Sequence, residues 1–145
     1  MPQIRKLSTV EILEPSTSAA IDWSAFEYYP PLQRVRAHFI ANPSQALTLL
    51  QAASIAAMAP TSFSRFFRCK TGITFKYWMD YIRVNRAYML LCSSDITVLH
   101  ASTMCGFSDV TTFARTFRRI HGSTPIEFKR QYRATVRRRM LRNAE

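Results

Sequence analysis

Arg65 and Arg68 stand in the stretch FSRFFRCKTGITF (63–75), and Arg115 and Arg118 stand in FARTFRRIHGSTP (113–125). A guanidinium presents a rigid fork of donors that matches the edge of a guanine or the oxygens of a phosphate. Arginines three residues apart on a helix are therefore candidates for nucleic-acid contact. Short hydroxyl side chains lie beside them, Thr61 and Ser64 in the first stretch and Thr111 in the second. From a helix lying in a groove such residues reach base edges or phosphates. At about 100° per residue, Thr61, Arg65 and Arg68 share a face opposite Phe63, Phe66 and Phe67, with Ser64 at its edge. Thr111, Arg115 and Arg118 repeat that face, flanked by Ala114, opposite Phe113, Thr116 and Phe117. For one helix, a solvated amphipathic face explains the pattern as well as a binding surface does. Two helices with the same outward pattern favour a common partner.

The two stretches are copies. At an offset of 50, Phe63, Arg65, Phe67, Arg68, Gly72 and Thr74 face Phe113, Arg115, Phe117, Arg118, Gly122 and Thr124. Two copies are too few for a solenoid, so they imply two similar modules in one body.

Composition narrows the partner. The chain has 145 residues and a net charge of +11, unevenly spread. Residues 1–30 carry −2, whereas residues 31–145 hold 18 basic side chains against 5 acidic ones, a balance of +13. Such a body attracts polyanions, either nucleic acid or an anionic membrane surface. A spanning segment is not expected, because Thr48, Gln51 and Ser54 interrupt the best apolar run. No secretory leader is legible either, and the expected location is the cytoplasm. Gly72, Gly106 and Gly122 are the only glycines and stand far apart, which excludes the clustered glycines of phosphate-cradling loops. Cys69, Cys92 and Cys105 form no Cys-x-x-Cys pair, so neither a disulfide framework nor a zinc site is expected, only buried or half-buried thiols. His38, His100 and His121 are scattered. No catalytic, cofactor-binding or metal-binding residues are expected, and the chain does not read as an enzyme.

The elements that must carry these residues are helices. Leu32, Val35, Phe39 and Ile40 have the spacing of one buried face, with Pro31 at a first helical position. Asn42-Pro43 ends that helix, and Ser44 is expected to cap a second running to about Ile55. A third runs from about Pro60 to Gly72, and a long fourth from Thr74 to about Cys92. A fifth opens at Asp95 or Thr97 and stops at Gly106, and a sixth is capped by Ser108 or Asp109 and stops at Gly122. Pro125 opens the seventh, whose end dissolves into ATVRRRMLRN. No window shows strand alternation, so the fold class is all-α. Ahead of the helices, Trp23 and Phe26 are expected on the surface as a hydrophobic clip.

Residues 98–128, VLHASTMCGFSDVTTFARTFRRIHGSTPIEF, resemble the C-terminal signature of the AraC/XylS family of bacterial transcription regulators. GFSD, FARTFRR and GSTP carry that likeness, while FSRFFRCKTG followed by YIRVNRAYMLL resembles the first half of the unit and its connecting helix. The resemblance covers about residues 32–132. It implies a seven-helix unit with two helix-turn-helix subdomains joined by a long linker helix. It also implies base contacts from Thr61, Ser64 and Arg65 in one recognition helix and from Val110, Thr111 and Arg115 in the other. Arg68, Arg118 and Arg119 are assigned to phosphates. One departure is that Ala57 stands where the first turn usually has glycine.

The resulting division is an N-terminal extension or linker (1–30), expected to be partly disordered with residues 1–20 mobile, a first subdomain (31–73), a linker helix (74–92), a second subdomain (93–132) and a basic tail (133–145). The expected function is sequence-specific binding of double-stranded DNA as a transcription regulator, an activator contacting RNA polymerase, with one monomer per site. A non-specific architectural or RNA-binding protein is the alternative, supported by Arg137-Arg138-Arg139. The chain resembles small stand-alone activators; the alternative is the isolated DNA-binding portion of a longer regulator, with the Pro/Ser/Thr content of residues 15–19 as a remnant linker.

Overall fold

A computed structural model describes residues 21–42 and 45–144. Its described residues form eight helices: α1 (Ala25–Tyr28), α2 (Pro30–Ala41), α3 (Leu49–Ile55), α4 (Pro60–Thr71), α5 (Phe75–Ser93), α6 (Val98–Met104), α7 (Val110–His121) and α8 (Pro125–Asn143). The fold is all-α, with helix-turn-helix pairs α3–α4 and α6–α7. The chain divides into two compact units between Arg83 and Val84. Helix α5 therefore begins in the first unit and ends in the second.

Each unit has its own apolar centre. In the first, Leu32, Val35 and Phe39 of α2 join Ala52 and Ala53 of α3, Phe63 and Phe67 of α4, and Trp78 and Ile82 of α5, all nearly inaccessible. In the second, Val84, Ala87, Leu91, Ala101, Cys105, Phe107, Phe113 and Phe117 form one buried cluster. The expected inward faces of both repeat helices are thus the buried ones.

The duplication extends beyond the thirteen residues. In the first turn, the N–H groups of Ala56, Ala57 and Met58 donate to the carbonyls of Ala52, Ser54 and Ala53. In the second, those of Cys105, Gly106 and Phe107 donate to Ala101, Thr103 and Ser102 in the same order. The register of the turns is therefore 49, and one extra residue before Asp109 shifts the following helices to 50. Both turns need a left-handed residue. Gly106 supplies it at φ 84°, but the first turn uses Ala57 at φ 57°. Placing an L side chain there costs about 1–2 kcal/mol, only part of which Gly would give back as unfolded-state entropy. Ala57→Gly should therefore stabilise the first unit by about 0.5–1 kcal/mol and raise its Tm by about 2–6 °C. Thermal melting followed by circular dichroism checks this. A lower Tm would mean that the Ala57 methyl group makes contacts worth more than the strain.

Several boundaries differ from expectation. Helix α3 starts at Leu49, where the Thr48 hydroxyl accepts from the Gln51 N–H and the Gln51 side chain accepts from the Thr48 N–H. This reciprocal box is a strong start signal, and Ser44, the expected cap, lies outside the described residues. Arg34 reaches over from α2 and donates to the carbonyls of Ile55 and Ala56 at the other end of α3. Of the two starts expected for α6, Asp95 and Thr97, the structure uses Thr97, which accepts from the His100 N–H. Helix α8 does not dissolve: it runs through the expected tail to Asn143. Capping by Thr124 and Glu127 starts it, and Lys129 and Arg133 fasten it by hydrogen bonds to the Ile96 carbonyl and the Asp95 carboxylate.

The surface clip is also corrected. Phe26 is 2% exposed, stacked on Trp78 at 5.1 Å and edge-on to Phe67 at 5.8 Å. Only Trp23 is partly exposed. An aromatic side chain next to three apolar rings gains more by burial than a surface clip could offer.

Candidate nucleic-acid interface

The six identities between the two stretches can be sorted by what the fold requires of each. Phe63 with Phe67 and Phe113 with Phe117 are fully buried. Gly72 and Gly122 close α4 and α7 in the left-handed conformation, at φ 82° and 84°. No atom lies within 4 Å of where a Gly122 Cβ would stand, so φ alone demands glycine there. Thr74 and Thr124 cap the next helices, accepting from the N–H groups of Tyr77 and Glu127. Packing, helix closure and capping thus account for four of the six. Arg65 with Arg115 and Arg68 with Arg118 remain. All four are exposed and make no side-chain hydrogen bond or ion pair among the described residues. Arg68 and Arg118 stand in the last turns of α4 and α7, where a positive charge favours the helix end, but nothing in the fold explains why arginine recurs at 65 and 115.

Helix α4 carries Thr61, Ser64, Arg65 and Arg68, and each is exposed. Helix α7 carries Val110, Thr111, Arg115, Arg118 and Arg119, likewise exposed. Within each unit the expected residues therefore share one solvent-facing helix surface. The two helices begin differently. Asp109 caps α7, accepting from the Thr112 N–H at 2.7 Å and from its hydroxyl at 2.8 Å. These bonds hold the Asp109 carboxyl below its usual range, so a negative charge stays at that tip. They also occupy the Thr112 hydroxyl, which leaves Thr111 as the outward hydroxyl of the pair. Helix α4 has Ala59 at its cap position with no side-chain bond and starts on Pro60.

The back of α7 is aromatic. Tyr88 stacks on His121 at 4.8 Å and packs on Phe128 at 4.6 Å, and Phe128 lies 5.8 Å from Phe117. Burial pushes the His121 imidazole below its ordinary value, which keeps it neutral beside these rings. Of the thiols, Cys105 is buried and Cys92 half-buried as expected, and burial pushes Cys92 up to about 11. Cys69, by contrast, is exposed on α4. Among the described residues no group of His, Cys, Asp or Glu is arranged to hold a metal ion. No described helix is long and apolar enough to cross a membrane.

These features define a protein with two helix-turn-helix subdomains, each presenting an arginine-bearing second helix. A family model described as a helix-turn-helix domain matches residues 52–131, and the chain belongs to this AraC/XylS family of transcription regulators. It is 33% identical over 91 residues to the regulatory protein PocR of Salmonella typhimurium, covering 63% of this chain and 30% of that protein. It is 33% identical over 96 residues to the transcriptional regulator RipA of Corynebacterium diphtheriae, covering 66% of this chain and 28% of that one. The chain thus spans less than a third of these curated relatives. The DNA-binding domain of the global transcriptional factor AdpA, solved in complex with a target DNA, is similar at a TM-score of 0.69 and 32% identity. That likeness covers 74% of this chain and 96% of that one.

The signal for the two exposed arginine faces was in the repeat itself. Sequence reasoning missed the Arg34 cap, because an arginine bonding across 21 residues leaves no periodic trace.

Proposed function

We propose that this chain is a sequence-specific DNA-binding transcription regulator that lays α4 and α7 in successive major-groove segments of one site. The observation that carries it is the recurrence of Arg65 and Arg115 at exposed positions where packing, capping and helix closure require nothing, each followed by a second exposed arginine, Arg68 or Arg118. Arg65 and Arg115 read base edges, helped by Thr61 and Ser64 on α4 and by Val110 and Thr111 on α7. Arg68, Arg118 and Arg119 bind phosphates, which fix register without reading sequence. The first reading surface belongs to residues 31–73 and the second to residues 93–132. Arg137, Arg138, Arg139 and Arg142 on the exposed end of α8 add sequence-independent attraction. The protein acts in the cytoplasm as one monomer per site, without a cofactor, and activates by contacting RNA polymerase.

The test is selection of duplexes from a random pool, followed by competition between the selected duplex and random DNA. A specific regulator prefers its own site by about 10³-fold or more at physiological salt. Equal affinity for both would instead identify a non-specific architectural or RNA-binding protein.

A further inference from the structure

Residues 21–29 lie ahead of the helix-turn-helix and outside residues 52–131, which the family model matches. Yet they touch α4 at four places. The Asp22 N–H donates to the Thr71 carbonyl at 2.9 Å, satisfying a free acceptor in the last turn. Phe26 packs edge-on against Phe67. Tyr29 packs edge-on against Phe66 at 5.5 Å, and the Lys70 ammonium sits 4.9 Å from the centre of the Tyr29 ring. Placed on a helical wheel at about 100° per residue, Phe66, Phe67, Lys70 and Thr71 form one stripe. Thr61, Arg65 and Arg68 lie on the side opposite to it.

We propose that residues 21–29 are a strap that positions the first recognition helix from behind, with Phe26 and Tyr29 as positioning residues for DNA reading by Arg65. This rests on the reading of α4 as a DNA-contacting helix. A bidentate contact tolerates little displacement of the helix that bears it, and a surface is held to such tolerance only by packing on its far side. In the second unit Tyr88, a residue of α5 itself, supplies that backing by stacking on His121 and packing against Phe128. Phe128 lies 50 positions after Trp78, the residue on which Phe26 stacks. In the first unit α5 backs α4 too, with Phe75 and Trp78 each 5.6 Å from Phe67, and residues 21–29 add backing at Phe66, Lys70 and Thr71, further along the helix.

The experiment uses the full chain and a duplex selected from a random pool by the unmodified protein. Two derivatives of that duplex each have one half-site scrambled. The half-site of α4 is the one where Arg65→Ala relaxes base preference. Phe26→Ala and Tyr29→Ala should weaken binding to the intact duplex by about tenfold, comparable to losing one base-contacting arginine. Protection of the α4 half-site should fade in a footprint, while affinity for the derivative keeping only the α7 half-site stays unchanged. Phe26→Leu and Tyr29→Phe should restore binding, and far-UV circular dichroism should show helicity kept in Tyr29→Ala. That variant decides the matter if Phe26→Ala melts the first unit, because the Tyr29 ring is half-buried and lies outside the apolar centre. Unchanged affinity for the intact duplex, or equal loss on both derivatives, overturns the strap. Failure of the DNA reading looks different: the unmodified chain would then not distinguish the intact duplex from either scrambled one.

Discussion

A duplex with five extra base pairs between its two half-sites is expected to bind about 10³-fold more weakly than the intact site, close to the level of random DNA. Five base pairs are half a helical turn, so the insertion carries one half-site to the opposite face of the duplex. Dimeric helix-turn-helix proteins obtain two recognition helices from two chains. This chain encodes both, and α5 is the element that joins them. It is one continuous helix of 19 residues, about 28 Å long at 1.5 Å per residue, not a coil that could pay out slack. A gel-shift titration measures the affinity. The same gel, with the protein concentration known, should give one chain per intact duplex. Tolerance of the insertion, or two chains on the intact site, would show that the duplication does not work as a built-in pair. Bending of the DNA is expected on the intact site, because a continuous linker helix adjusts less freely than a coil to straight DNA.

The second large effect concerns the arginines. Arg65→Ala and Arg115→Ala should each cost about 1–3 kcal/mol of specific binding, or roughly 5- to 150-fold, and each should relax preference at a single position. Arg68→Ala and Arg118→Ala should behave differently. They should weaken binding to every sequence alike and lower the salt dependence by about one unit of slope, as expected for a lost phosphate contact. Repeating the random-pool selection with each variant separates the two classes. Uniform weakening by Arg65→Ala would move that residue to the phosphate group. All four side chains are exposed and make no hydrogen bond or ion pair among the described residues. Their removal should therefore leave the melting temperature nearly unchanged, which separates lost contacts from lost fold.

The sequence alone determined the helical class, the duplication and the outward arginine faces, because each is written in local periodicity. Phe63 and Phe67 recur with the spacing of one helix face, Gly72 and Gly122 stop helices by backbone conformation, and Thr124 caps its own helix three residues on. Such signals act within one or two turns and survive in a linear string. The tertiary structure decided what depends on partners far along the chain. Phe26 looked like a surface residue because nothing near it is periodic, and only the rings of Phe67 and Trp78, 41 and 52 residues away, make its burial favourable. Arg34 caps α3 from another helix, and the Asp95 carboxylate holds Arg133 from 38 residues away. The end of α8 looked like an unstructured tail because its arginines face solvent on most sides. Capping at Thr124 and fastening by Lys129 and Arg133 start and seat that helix, after which each added residue needs only its own backbone hydrogen bond.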